Sequence, residues 1–190
     1  MTTASKVTLV RIFLIPLFMA AALLTFPGSE IVALALFIIA GATDWVDGYI
    51  ARKYDQISDF GKFMDPLADK LLVTAALLLF VQWGRMPAWV LMVVLTREFA
   101  VSGLRMMAAV KGKVIAAGAS GKLKTVVTFV GICLMLLPLP CRPMTACGIG
   151  TGVFDRIFTP DNVVMAAILL TTVYSGIEYF AKNYKVLGER

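Results

Sequence analysis

The chain has 190 residues, of which 59% are hydrophobic, and its mean hydropathy is +0.85. Soluble domains are normally about 45–50% apolar, so this composition excludes an ordinary soluble protein and predicts a polytopic membrane protein. The net charge of +6 comes from basic residues that are concentrated in alternating connections rather than spread over the chain. We therefore expect anionic lipid, and no nucleic acid, next to these charges.

Six apolar runs are long enough to cross a bilayer, which takes a helix of about 20 residues. We predict six transmembrane helices at roughly 7–26, 31–53, 61–82, 86–109, 121–139 and 162–181. Lys and Arg are most frequent at both ends and in the second and fourth connections, so the positive-inside rule places both termini in the cytoplasm. We expect an all-α fold and one membrane-embedded domain, residues 1–190.

The first apolar run is interrupted by Arg11 and is followed by PGSE at 27–30, which lacks the small-residue cleavage pattern of a signal peptide. We interpret it as a retained segment whose first turns lie at the membrane interface. Arg11 would either bind headgroup phosphate or extend its charge to the cytoplasmic surface.

The most informative residues lie where the second span ends and the third begins. Asp44 and Asp47 are one helical turn apart, and Asp65 and Asp69 are again one turn apart. Carboxylates that converge in a partly dry site repel one another unless cations neutralise them. The chain contains no His, so the ligands would be oxygen atoms and the metal Mg²⁺ or Mn²⁺.

Three small residues, Gly48, Ala51 and Gly61, share helix faces with these aspartates. Small residues in membrane helices usually allow close helix packing. At this position they would also leave space for a planar group beside the metals, and we favour that interpretation.

Cationic residues cluster at the cytoplasmic ends of the fourth and fifth spans. Arg97 and Arg105 are eight residues apart, hence nearly on one helix face, and two guanidinium groups suit a phosphate. We expect Glu98 to tether a neighbouring cation rather than to act in catalysis. The candidate phosphate-binding residues are Arg97, Arg105, Lys122, Lys124 and Thr125, whereas Lys111 and Lys113 are interpreted as solvated.

The fifth connection, on the opposite side of the predicted membrane, contains Cys141 and Cys147, which could pair, while Cys133 lies in a span. We interpret Asp155 and Asp161 in this connection as solvated.

The sixth span ends in SGIEYFAKNYK, which returns Glu178 and Lys182 to the cytoplasmic interface. Tyr179 and Phe180 are interpreted as part of an interfacial aromatic belt.

The pattern Asp44-x-x-Asp47-Gly48-x-x-Ala51-Arg52, eight residues, then Gly61-x-x-x-Asp65-x-x-x-Asp69 resembles in full the signature of the CDP-alcohol phosphotransferases. These are integral membrane enzymes of phospholipid synthesis. VTLVRIFLIP, DPLADKLL, REFAVSGLR and GKLKT also resemble the bacterial subgroup whose acceptor is sn-glycerol 3-phosphate. The resemblance therefore covers nearly the whole chain.

The resemblance implies a function and a site. Two divalent cations would be bound by Asp44, Asp47, Asp65 and Asp69, with Asp69 also the general base. The donor would be CDP-diacylglycerol, the products phosphatidylglycerophosphate and CMP, and the location the bacterial inner membrane, with the site at its cytoplasmic interface and a homodimer as the assembly. The donor-binding positions would be Gly48, Ala51, Arg52, Ser58 and Gly61.

Two other functions would also account for carboxylates within the membrane. The same chemistry with serine, inositol phosphate or phosphatidylglycerol as acceptor needs the same aspartates. A cation transporter also places carboxylates within the membrane, but it predicts acidic residues that continue towards the far side and an inverted repeat. The acidic residues here cluster at one side and no repeat is apparent, so we favour the transferase.

Overall fold

The computed structural model describes residues 3–24, 26–54, 59–110, 118–138 and 159–184, and in these residues it contains six helices and no strand. The helices are α1 (Thr3–Leu23), α2 (Ser29–Tyr54), α3 (Asp59–Gln82), α4 (Ala88–Val110), α5 (Ala119–Leu136) and α6 (Pro160–Asn183). Each helix coincides with one of the predicted apolar segments, so the prediction of an all-α fold is confirmed. Ser58, Lys111, Lys113, Cys141, Cys147 and Asp155 lie outside the described residues.

The helices fall into two compact units, of which the first contains α1, α2 and α3. All three of these helices pack against one another. Phe18 of α1 and Phe37 of α2 are fully buried, with ring centroids 5.7 Å apart. The turn between α1 and α2 depends on Gly28, whose φ of +86° is strained for any residue with a Cβ.

Arg11 lies inside this first unit, where only 1% of the residue is exposed. Both placements expected from the sequence put its charge at a lipid or water surface, and both are wrong. The Arg11 side chain is instead covered by protein atoms. A buried guanidinium requires polar contacts within the protein.

The second unit contains α4, α6 and α5 as far as Met135. α4 and α6 pack against each other, and α5 contacts α6 at Gly131. A Cβ at Gly131 would lie 2.9 Å from Cγ1 of Val164 and 3.0 Å from Cδ1 of Ile168. Since real Cβ atoms do not come that close, glycine at 131 allows the contact between the two helices.

Two of the described helices, α5 and α6, are long and apolar enough by themselves to cross a membrane. α4 is interrupted by three charged residues, and where the side chains of α1, α2 and α3 are described, their apolar stretches cover Val10–Leu23, Ser29–Thr43 and Lys70–Gln82. Large apolar side chains nevertheless face outward, with Phe13 77% and Leu170 69% exposed. The prediction of six transmembrane spans therefore stays a prediction.

Candidate active site

The aspartate motif lies on two packed helices of the first unit. α2 continues without a break through Asp44 and Asp47 to Tyr54, and α3 begins at Asp59 and includes Asp65 and Asp69. The backbone thus gives both pairs the helical spacing expected from the sequence. The structure describes the backbone of the motif residues and not their side chains, and among the side chains that it does describe no group of three potential metal ligands occurs.

The second unit contains a buried ion cluster formed by Arg97, Glu98 and Lys124. A single oxygen of Glu98, Oε1, accepts a hydrogen bond from Nη1 of Arg97 at 2.9 Å and from Nζ of Lys124 at 2.6 Å. The three side chains are 13%, 20% and 6% exposed. The expectation that Glu98 tethers a neighbouring cation is confirmed, and the cluster joins α4 to α5.

Two glycines border the Arg97 side chain, and the one at 176 gives it space. A Cβ at Gly176 of α6 would lie 3.1 Å from Cγ of Arg97, and one at Gly121 of α5 would lie 3.8 Å from its Nη2. Nε of Arg97 is buried and has no hydrogen-bond partner among the described residues. Arg97 is therefore enclosed by all three helices of this unit.

The second arginine of α4, Arg105, has a different environment. Its Nε donates a hydrogen bond to the hydroxyl of Tyr179 at 3.2 Å, and its Cζ lies 5.4 Å from the centroid of the Tyr179 ring. Arg105 is exposed, whereas Tyr179 is only 7% exposed. We call these two residues the Arg105–Tyr179 pair.

The remaining candidate phosphate ligands lie on α5. Lys122 is exposed, and Thr125 is exposed with its hydroxyl bound to the carbonyl oxygen of Gly121 at 3.0 Å. The structure therefore brings Arg97 and Lys124 into one cluster, while Arg105 pairs with Tyr179 and Lys122 has no ion-pair partner among the described residues.

Arg85 and Asp161 form an ion pair near the start of α4 and α6. Nε and Nη2 of Arg85 bind the two carboxylate oxygens of Asp161, each at 2.8 Å. The interpretation of Asp161 as solvated is wrong, because its side chain is 19% exposed and engaged in this bidentate pair.

Sequence reasoning also misinterpreted Tyr179. A tyrosine near the end of an apolar helix is typical of an interfacial belt, but this one packs with Val101 and Leu104 of α4. Val101 and Leu104 are far from Tyr179 in the sequence, so no local pattern indicates this contact. The one available indication was that Tyr179 follows Ser175 and Gly176, small residues that allow another helix to approach.

A family model described as CDP-alcohol phosphatidyltransferase matches residues 1–175. The chain belongs to this family. The match includes the whole aspartate motif and all of α1 to α5.

Two of the relatives are similar to this chain over nearly its whole length, and a third over about half of it. The chain is 43% identical over 198 residues to the CDP-diacylglycerol--glycerol-3-phosphate 3-phosphatidyltransferase of Bacillus subtilis, with 96% of this chain and 95% of that protein covered. It is 38% identical over 190 residues to a probable phosphatidylglycerophosphate synthase of Mycobacterium tuberculosis, covering 97% of this chain and 83% of that protein. A Haemophilus influenzae protein with the same name as the Bacillus enzyme is 44% identical over 103 residues, 52% of this chain and 54% of that protein.

Proposed function

We propose that this protein transfers the phosphatidyl group of CDP-diacylglycerol to sn-glycerol 3-phosphate, giving phosphatidylglycerophosphate and CMP. The observation that carries the proposal is a complete aspartate motif on two packed helices, in a chain 43% identical over nearly its full length to a Bacillus subtilis enzyme named for this reaction. The exposed apolar surface and the relatives also support a protein of the bacterial cell membrane.

The residues fit a pair of hard divalent cations. The donor set consists of carboxylates alone, and the helical backbone places Asp44 one turn from Asp47 and Asp65 one turn from Asp69. Mg²⁺ or Mn²⁺ prefers such oxygen ligands. When bound, the two cations would neutralise the pyrophosphate of the donor and the charge of the departing CMP.

The donor-binding positions surround the aspartates on the same two helices. Gly48 and Gly61 carry no side chain and Ala51 only a methyl group, which would leave space for the flat cytidine beside the carboxylates. Arg52 would contact the nucleotide or its phosphates through charge-assisted hydrogen bonds, and Ser58 through its hydroxyl.

Asp69 would act as the general base. It would accept the proton of the 1-hydroxyl of glycerol 3-phosphate as that oxygen bonds to the phosphorus of the phosphatidyl group. The bond from this phosphorus to the oxygen of CMP would break in the same displacement, and CMP would leave. Direct transfer fits the fixed positions of the motif, none of which is a Ser, Cys or His that could form a covalent intermediate.

The phosphate of the acceptor requires cationic partners. The candidates lie on α4 and α5, the two helices that carry the buried ion cluster and Arg105. The proposed acceptor-phosphate residues are Arg97, Arg105, Lys122, Lys124 and Thr125.

In a six-span topology the proposed acceptor-phosphate residues would lie at the cytoplasmic interface. The 18 residues that separate Asp161 from Tyr179 on α6 span about 27 Å, which is close to the thickness of the hydrocarbon core. Arg85, just before α4, binds Asp161, and Arg105 of α4 binds Tyr179. α4 would then cross the bilayer beside α6 despite its internal charges, because Arg97 and Glu98 bind within the protein.

The experiment is CMP release from CDP-diacylglycerol by the detergent-solubilised protein, with each acceptor supplied in turn. Glycerol 3-phosphate should support release, whereas serine, inositol phosphate and phosphatidylglycerol should not. Release with another acceptor only would reassign the substrate, and no release with any of them would refute the transferase function.

Replacement of the base gives the sharpest test of the site. Asp69→Asn should lower kcat by at least about a hundredfold, the usual contribution of a general base, while the protein stays folded. Glu30→Gln, a carboxylate change at an exposed position in the first turn of α2, is the matched control and should keep wild-type turnover. Near-normal turnover in Asp69→Asn would remove it as the base.

A further inference from the structure

Tyr179 is held rigidly by its surroundings. It lies in a buried apolar cluster with Val101 and Leu104 of α4, and Phe180 packs against the same cluster. Because the ring is 7% exposed and fixed by these contacts, its hydroxyl has a defined position at the surface of α6.

The Arg105 guanidinium uses only part of its hydrogen-bonding capacity. Nε is bound to the Tyr179 hydroxyl, and the cation lies over the ring at 5.4 Å. Nη1 and Nη2 of Arg105 have no hydrogen-bond or ion-pair partner in the part of the chain that the structure describes. An arginine whose terminal nitrogens are both available can bind an oxyanion through two parallel hydrogen bonds.

The partner of Arg105 is neutral, and this distinguishes it from the other arginine of α4. The Glu98 carboxylate offsets the charges of Arg97 and Lys124, so part of their attraction for an anion is already used within the protein. A phenol orients a guanidinium without cancelling its charge. Among the described candidates, Arg105 is thus the one that is both oriented and electrostatically unopposed.

We infer that Tyr179 is a positioning residue that holds Arg105 so that its two terminal nitrogens bind the phosphate of the acceptor. The inference rests on the proposed function, of which it specifies the acceptor side. It assigns selectivity for a phosphorylated alcohol chiefly to the Arg105–Tyr179 pair. Arg97 and Lys124, whose charges Glu98 partly offsets, contribute less to phosphate binding and also join α4 to α5.

The first test removes only the hydroxyl. Tyr179→Phe keeps the packed ring and should raise the KM for glycerol 3-phosphate about tenfold, the loss expected when one hydrogen bond to a charged group is removed. The KM for CDP-diacylglycerol and kcat should stay within about twofold of wild type, since neither depends on the acceptor phosphate. Tyr174→Phe is the matched control, because Tyr174 is on the same helix and 65% exposed.

A double-mutant comparison distinguishes positioning from general structural support. Alanine has no group for the phenol to hold, so Tyr179→Phe introduced together with Arg105→Ala should cause no further rise in the acceptor KM. If Tyr179 only supported the fold, the same rise would occur with Arg or Ala at position 105, and that result would overturn the inference. Equal increases in both KM values would also overturn it.

Binding without turnover separates this inference from the proposed function. Glycerol 3-phosphate and inorganic phosphate should each raise the Tm of the solubilised wild type, and Tyr179→Phe should reduce both shifts. A wild type that binds these anions in this way but releases no CMP would refute the transferase and support the positioning role. Unchanged shifts and an unchanged acceptor KM in Tyr179→Phe would refute the positioning role alone.

Discussion

The buried ion cluster and the Arg105–Tyr179 pair place two arginines of one helix in opposite environments. Arg97 is enclosed by three helices and bound to a carboxylate, whereas Arg105 is exposed and bound to a buried phenol. A carboxylate neutralises its partner and fixes it in the protein, while a phenol fixes the guanidinium and leaves its charge available. The comparison shows that the partner of an arginine, more than its position on a helix face, determines what the arginine can bind.

The largest expected effect is on the stability of the buried ion cluster. Glu98→Ala should lower the free energy of unfolding by about 3 kcal/mol, because Lys124 would stay buried without a counter-charge. This is the lower end of the range for a broken buried pair, since Glu98 keeps 20% exposure. The Tm of the solubilised protein measures the loss.

The matched control for that change is Glu178→Gln, which removes a carboxylate from the pair with Lys182 on α6, whose side chain is 70% exposed. No measurable change in Tm is expected there, because exposed pairs in water contribute little. If Glu98→Ala left the Tm as unchanged as the control does, the cluster would not be the link between α4 and α5 that we describe.

The next effect is on acceptor binding at Arg105. Arg105→Ala should raise the KM for glycerol 3-phosphate by roughly thirtyfold, as expected for loss of a charge-assisted contact worth about 2 kcal/mol. The Tm should change little, because the side chain is exposed. A comparable rise in the KM for CDP-diacylglycerol would instead assign this arginine to the donor.

The smallest effect concerns the space around Arg97. Gly176→Ala places a Cβ 3.1 Å from Cγ of Arg97 and should lower the stability by about 1 kcal/mol, since crowding outweighs the higher helix propensity of Ala. Gly103→Ala is the control, because a Cβ there meets nothing within 4 Å. The two substitutions should shift the Tm in opposite directions, and a shift of the same sign would show that the contact with Arg97 is relaxed easily.

The helices could be predicted from the sequence because apolar runs of membrane-spanning length have few alternatives to helix. The prediction of 31–53 for the second segment corresponds to α2 at Ser29–Tyr54, and that of 61–82 to α3 at Asp59–Gln82. The spacing of the aspartates was visible for the same reason, since residues three or four apart lie on one helix face. The tether role of Glu98 followed from its neighbour Arg97 in the sequence.

The pairs formed between helices could not be predicted in this way. Asp161 binds a residue 76 positions away and Tyr179 a residue 74 positions away, and neither partner leaves a pattern in the local sequence. Their side chains were therefore interpreted from composition alone, as a solvated acid and an interfacial aromatic. In the structure each of these side chains instead binds an arginine, Asp161 binding Arg85 and Tyr179 binding Arg105.

The Arg85–Asp161 ion pair has a consequence for how α6 can vary. This pair binds the start of α6 to the residues just before α4, and the Arg105–Tyr179 pair joins α4 to α6 further along both helices. The two sequence offsets are nearly equal, 76 and 74 residues, so the two helices run parallel. Inserting or deleting one residue between Asp161 and Tyr179 would turn the phenol by about 100° around the helix axis. The two contacts therefore fix the number of residues between Asp161 and Tyr179. We expect insertions and deletions in α6 to be tolerated only outside this segment.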